Sequence, residues 1–174
     1  MSSDGQKKVT HEFPPVYDKN SRVLILGTIP SPKSRELGFY YMHPQNRFWK
    51  MLCAVLGERV PEDVDGRRRL CLKYGIALWD VLESCGIRGA EDSSIVDAVP
   101  NDLRWITNAC QIRQIFTTGK KAHALYKKFF PELPEDICLP STSPANRTIS
   151  EKDMLEQYKI IAEFLETASA GEKL

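Results

Sequence analysis

The chain has no C-x-x-C pair, and its five cysteines (Cys53, Cys71, Cys85, Cys110 and Cys138) are scattered singly. An odd, widely spaced set argues for reduced thiols and against a zinc or iron–sulfur site. Histidine is scarce: His11, His43 and His123 stand far apart, so a metal site is not expected. No apolar run approaches the roughly 20 residues that a membrane helix needs. The polar start lacks the apolar core of a signal peptide, so the expected location is the cytoplasm. Excess charge is missing too, since 24 Lys and Arg against 23 Asp and Glu leave a formal net charge of +1. An anionic partner must therefore be held by local clusters. "GTIPS" and "TTGKKA" lack the glycine spacing of a phosphate-binding loop, which disfavours a nucleotide-binding module.

What is present is ordinary globular composition, 42% apolar and 27% charged, in a length suited to one domain. Residues 1–20 are polar and proline-containing and read as a flexible or loosely packed segment, with "HEFPPVYD" across the surface; residues 21–170 read as a single domain. Four short apolar strands are expected at "RVLILG", "IALWDV", "IRQIFTTG" and "DICLP". Helices are expected from Asn46 to Leu56, over "DGRRRLCLKY", over "DLRWITNAC" behind an Asn101 cap, over "KKAHALYKKFF", and from Glu151 to Thr167 behind a Ser150 cap. "GIRGAEDSSI" reads as a loop. Strands alternating with amphipathic helices describe an α/β domain with a mainly parallel sheet. Ligands in such folds bind at the carboxyl ends of the strands. Here those ends are "GTIPS", "LWD", "TTG" and "LPSTSPANR".

The stretch "GFYYMHPQNRFWKML" sets two tyrosines, a histidine and an asparagine where a loop meets a helix. Phe48 and Trp49 fall on the apolar side of that helix and read as core. Asn46 has two readings, a helix cap and a polar group facing a pocket. His43 either donates to a ligand or locks the turn before Pro44. Asp80, ending "LWD", either faces the pocket or makes a turn bond. Lys120 and Lys121 read as a solvated cationic face, as does "GRRRL".

"GTIPSPKSRELGFYYMHPQNRFWKML" and "LPSTSPANR", in this order, resemble the motifs of the uracil-DNA glycosylase superfamily, and more narrowly its hypoxanthine-DNA (deoxyinosine) glycosylase branch. The resemblance runs from about Arg22 to Arg147. It implies three layers, α/β/α, around a central four-stranded sheet, and a monofunctional enzyme that uses water to release a deaminated base from DNA. Hypoxanthine would be the preferred base, with uracil or xanthine as alternatives. Relatives specific for mismatched uracil carry a water-activating asparagine in the first motif. The matching residue here is Ile29, so the resemblance shifts catalysis to Asn46, with His43 beside it. The loss of that polar residue also fits a silent DNA-binding module that keeps the fold. Tyr41 matches the aromatic on which the base stacks; Tyr40, Gly27, Thr28, Ile29 and Pro30 complete the implied base pocket. Ser31, Lys33, Ser141, Ser143, Pro144, Ala145, Asn146 and Arg147 form the implied DNA rim, with Ala145 and Asn146 where relatives carry a bulky wedge. No cofactor is implied, the partner is DNA, and a monomer is expected.

Overall fold

Strand β2 (Val23–Gly27) is buried at every position, which is what a continuous apolar run does when both faces of its sheet are covered. The computed structural model, which describes residues 6–88 and 95–171, places β2 inside a parallel sheet of order β3-β2-β6-β7, with β3 at Ile76–Asp80, β6 at Gln114–Thr118 and β7 at Asp136–Leu139. Helix α3 (Val64–Tyr74) packs on β3, α5 (Lys120–Phe129) on β6 and β7, and α7 (Ile160–Gly171) on β2. The α/β fold with four parallel strands stands as read from the sequence pattern, and the α/β/α layering as the resemblance implied. Helix α2 (Phe48–Leu56) packs on α6 (Glu151–Tyr158) and α7, burying Phe48 and Trp49.

The sequence signals for caps hold well. Asp153 N–H donates to Ser150 Oγ at 3.1 Å. Glycines 38, 57 and 75 close α1 (Pro32–Leu37), α2 and α3 in the left-handed conformation that suits a residue without Cβ. The expected final helix is divided at Lys159 into α6 and α7. Asn101 is not a helix cap: its Nδ2 donates to the carbonyls of Asp80 and Leu82, at 2.9 and 3.1 Å. Only Arg104–Thr107 is helical behind it, as α4.

A second sheet, β1-β4-β5, is antiparallel and was not legible. It is built from Gln6–Thr10, Leu82–Arg88 and Ile95–Pro100. The expected loop "GIRGAEDSSI" thus supplies ends of two strands, while residues 89–94 lie outside the described residues. Register shifts between Leu82 and Gly86 break the alternation that would reveal β4. The described part of the N-terminal segment is not loose. β1 runs along β4, Val9 and Val16 are buried, and Val16 bridges Leu78 of the central sheet.

Candidate active site

The carboxyl ends of β2 and β3 stand side by side, with Gly27 paired to Asp80. The chain then leaves β2 through Thr28, Ile29 and Pro30. Val81 N–H donates to Gly27 O and Leu82 N–H to Thr28 O, so the β2 exit is pinned to the β3–β4 connection. Ser31 caps α1 by accepting from Ser34 N–H. Ser34 Oγ in turn accepts from Met42 N–H, which holds the aromatic loop against α1.

Tyr41 sits at the end of that loop with φ of 56°. A left-handed backbone costs a residue with a Cβ about 1–2 kcal/mol, so neighbouring contacts must hold it there. Its ring stacks on Phe48 with centroids 3.9 Å apart. Its hydroxyl lies 3.1 Å from Thr118 Oγ1. Burial, and then the charge of Asp80, raise its ionisation well above the ordinary phenol value. One ring face is spent on Phe48, so only the other can meet a ligand.

These elements enclose a cleft of about 390 Å³. Of the residues expected at a site, Gly27, Thr28, Ile29, Pro30, Ser31, Tyr40, Tyr41, Asn46 and Ser143 line it. Tyr40 contributes little free surface. It is 2% exposed, donates its hydroxyl to Pro14 O, and packs among His11, Phe13 and Phe39. Asn46 lies two residues before α2 rather than inside it, and its Oδ1 accepts from Phe48 N–H at 2.9 Å. The N-cap of α2 is Arg47, so Asn46 does not take the cap position expected of it, while it does line the cleft. The oxygen closes the helix start, while Nδ2 has no partner among the described residues.

His43 does not line the cleft; its Nδ1 accepts from Gln45 N–H and its carbonyl from Asn46 N–H, so it locks the turn. Lys33 pairs with Glu36 outside the cleft. Ser141, Pro144, Ala145, Asn146 and Arg147 likewise fall outside the lining. Within that loop Ser141 Oγ accepts from Ser143 N–H, Ser143 Oγ from Ala145 N–H, and Ser141 O from Asn146 Nδ2. These bonds shape the loop that presents Thr142 and Ser143. "GRRRL" is not a plain solvated face: the Arg67 guanidinium lies over Trp49 and that of Arg68 over Phe39.

Sequence reasoning missed several contributors. Lys7, Val9 and Ile87 reach the cleft from the second sheet, whose strands carried no clear periodic signal. Arg35, Thr118 and Thr142 line it as well. Asp80 faces it, as one of its two readings supposed. Its Oδ2 lies 2.9 Å from His11 Nε2, both side chains being at most 5% exposed. No group of three or more His, Cys, Asp or Glu among the described residues is arranged to hold a metal ion.

The cleft is thus a partly apolar slot with one aromatic face, an unspent amide N–H group, hydroxyls on one wall and a carboxylate at its floor. Comparison with known proteins gives the same direction. A family model described as the uracil DNA glycosylase superfamily matches residues 14–166. A protein of Methanosarcina acetivorans named hypoxanthine DNA glycosylase is 34% identical over 141 residues, 80% of this chain and 89% of its own. One of the same name from Methanosarcina barkeri is 36% identical over 139 residues, 78% of this chain and 87% of its own. A solution NMR structure from M. acetivorans, described as a candidate uracil DNA glycosylase, superposes with a TM-score of 0.77 at 31% identity, covering 88% of this chain and 96% of that one. With the family model spanning both motif loops and every strand of the central sheet, the chain belongs to the uracil DNA glycosylase superfamily.

Proposed function

We propose that this protein is a monofunctional DNA glycosylase that hydrolyses the N-glycosidic bond of a deaminated base, with hypoxanthine preferred. It acts as a monomer on DNA, in the cytoplasm or, in a eukaryote, the nucleus. The observation that carries this reading is the convergence of Tyr41 and Asn46 on one cleft at the carboxyl ends of β2 and β3.

A base inside the helical stack must first be swung out, at a cost of a few kcal/mol. Stacking on the free face of Tyr41 offsets part of it, by roughly 1–3 kcal/mol. As the bond from C1′ to the base nitrogen lengthens, its electron pair goes to the base and the sugar becomes cationic. Asn46 Nδ2 is a neutral donor that can stabilise the negative charge gathering on the base, or hold the water whose oxygen bonds to C1′. That water's proton passes to solvent or to the departing base. Around the cleft, the hydroxyl of Ser143 and the cations of Lys7 and Arg35 are suited to phosphates, which position DNA without reading sequence.

Asn46→Asp is the sharpest test. The aspartate oxygen keeps the bond to Phe48 N–H, so thermal stability stays close to wild type. The donor is lost, and single-turnover release of hypoxanthine from a duplex should fall at least about a hundredfold. Unchanged cleavage would remove Asn46 from the mechanism. Wild-type protein that binds DNA but releases neither hypoxanthine, uracil nor xanthine would establish the silent-module reading, which Ile29 at the cleft wall favours.

A further inference from the structure

Tyr41 is strained, and its own side chain does not account for the strain. Its φ of 56° lies in the left-handed region, where Cβ crowds the following carbonyl oxygen. Phe48 and Thr118 fix the ring and the hydroxyl, so the backbone has to be held by the residues on either side. Before it, Tyr40 O accepts from Trp49 Nε1 at 2.9 Å, in a buried bond. After it, Met42 N–H donates to Ser34 Oγ, and Met42 Sδ accepts from Arg67 Nη1 at 3.2 Å. Arg67 connects the two sides, since its guanidinium also lies 5.4 Å from the Trp49 ring centroid, and its Nε donates to Pro61 O at 2.9 Å. A planar guanidinium can do this because it donates along its edges while its face lies on an aromatic ring. A thioether is a weak acceptor, so the bond to Met42 supplies a fixed position more than stability. Arg67, Trp49 and Met42 all stand outside the cleft lining.

We propose that Arg67 is a positioning residue for base stacking: through Met42 and Trp49 it holds Tyr41 in its left-handed conformation, with the free ring face set toward the cleft before DNA arrives. This rests on the glycosylase reading above. Backbone strain of this kind persists only where the surrounding structure over-determines it, and here the determining contacts come from α2 and α3. Releasing Met42 lets φ return to the negative region. The Cα–Cβ bond then turns, the ring leaves Phe48, and its free face no longer meets an extruded base. A ring fixed during folding needs no ordering when a base arrives, so the stacking contact goes undiminished to binding. The run "GRRRL" thereby acts on the site from behind it, although Arg67 touches no ligand.

The test is a double-mutant cycle in the full-length protein, with single-turnover release of hypoxanthine from a duplex measured beside urea unfolding. Arg67→Met keeps a stem on Trp49 and removes the donors; it should slow release at least about tenfold. In a Tyr41→Ala background the same change should slow the residual release by less than about twofold, because the ring it positions is gone. The loss of stability should be similar in both backgrounds. Met42→Leu keeps the volume, removes the acceptor and should slow release by about threefold or more, which carries the same cycle should Arg67→Met fail to fold. Fluorine NMR of protein labelled with 3-fluorotyrosine follows the ring without any cleavage, its Tyr41 signal being the one lost in Tyr41→Phe. That signal should move toward the unfolded position in Arg67→Met and in Met42→Leu. An equal fold loss with and without the Tyr41 ring, an undiminished rate in a stably folded Arg67→Met, or an unmoved fluorine signal overturns the proposal and leaves the glycosylase reading intact. Wild type that releases no deaminated base overturns that reading, while the fluorine signal still decides whether Arg67 holds Tyr41.

Discussion

Arg47 Nη2 donates to the carbonyl of Asn146 at 2.7 Å, joining the start of α2 to a loop 99 residues later. Its Nη1 donates to Ile149 O at 3.1 Å and its own N–H to Thr142 O at 3.0 Å. Asn46 and Ser143, which both line the cleft, are thereby set by one residue that does not line it. Arg47→Met should cost about 1.5–3 kcal/mol, the scale of a lost charged donor to part-buried carbonyls. Cleavage should fall with it, because a shift of about 1 Å in a reacting group costs around a hundredfold. Arg47→Lys should not rescue, since an ammonium cannot span the two carbonyls as a planar fork does. Urea unfolding and single-turnover rates check this, and stability falling with an unchanged rate would uncouple the loops.

Gly27 is needed for the room it leaves, since its φ is not in the left-handed region. A Cβ there would meet Asp80 Oδ1 at 2.5 Å and the Tyr41 hydroxyl at 3.1 Å. Gly27→Ala must displace a buried carboxylate or the β2 exit, at about 1–3 kcal/mol. Release of hypoxanthine should drop by tenfold or more, with DNA affinity little altered, in paired binding and cleavage assays. A variant with wild-type rate would show that the floor tolerates a methyl group and carries no precise contact.

The central sheet and most caps were legible because each rests on a local rule. Val23–Gly27 is apolar throughout, and Ser150 stands before an amphipathic run. The second sheet was not, since Gln6–Thr10 buries only Val9 and β4 is irregular between Leu82 and Gly86. Within the site, Tyr41 and Asn46 were found through their place in a motif. Asp80 was visible as a strand end, but nothing local announces that His11, 69 positions earlier, stands against it. Pairing of that length is a property of the sheet edges that bring β1 beside β4.

Ser150 separates stability from function. Its hydroxyl caps α6 at 3.1 Å and does not line the cleft. Ser150→Ala should lower stability by about 1 kcal/mol and leave cleavage untouched. A rate loss beyond what the unfolded fraction explains would mean that α6 positions the second loop dynamically, through Tyr158, whose hydroxyl donates to Pro140 O at 2.6 Å.

Alkaline stability follows from the tyrosines. Burial raises the ionisation of Tyr40, Tyr41, Tyr126 and Tyr158 above the ordinary phenol value, and the Asp80 charge adds to it for the first two. In the unfolded chain each phenol releases its proton near pH 10. Above that value the unfolded state holds fewer protons than the folded one, so stability falls as pH rises. The contribution is complete below about pH 10 and is lost progressively above it, through the raised folded values. Thermal midpoints should therefore be flat in this respect from pH 8 to 9.5 and drop steeply beyond pH 10. Absorbance of these tyrosinates should appear together with loss of near-ultraviolet dichroism. Tyr41→Phe should soften the drop while removing the bond to Thr118. Tyrosinate absorbance appearing at its full amplitude in a still-folded protein would mean that these phenols are open to solvent, and with them the floor on which Tyr41 and Asp80 meet.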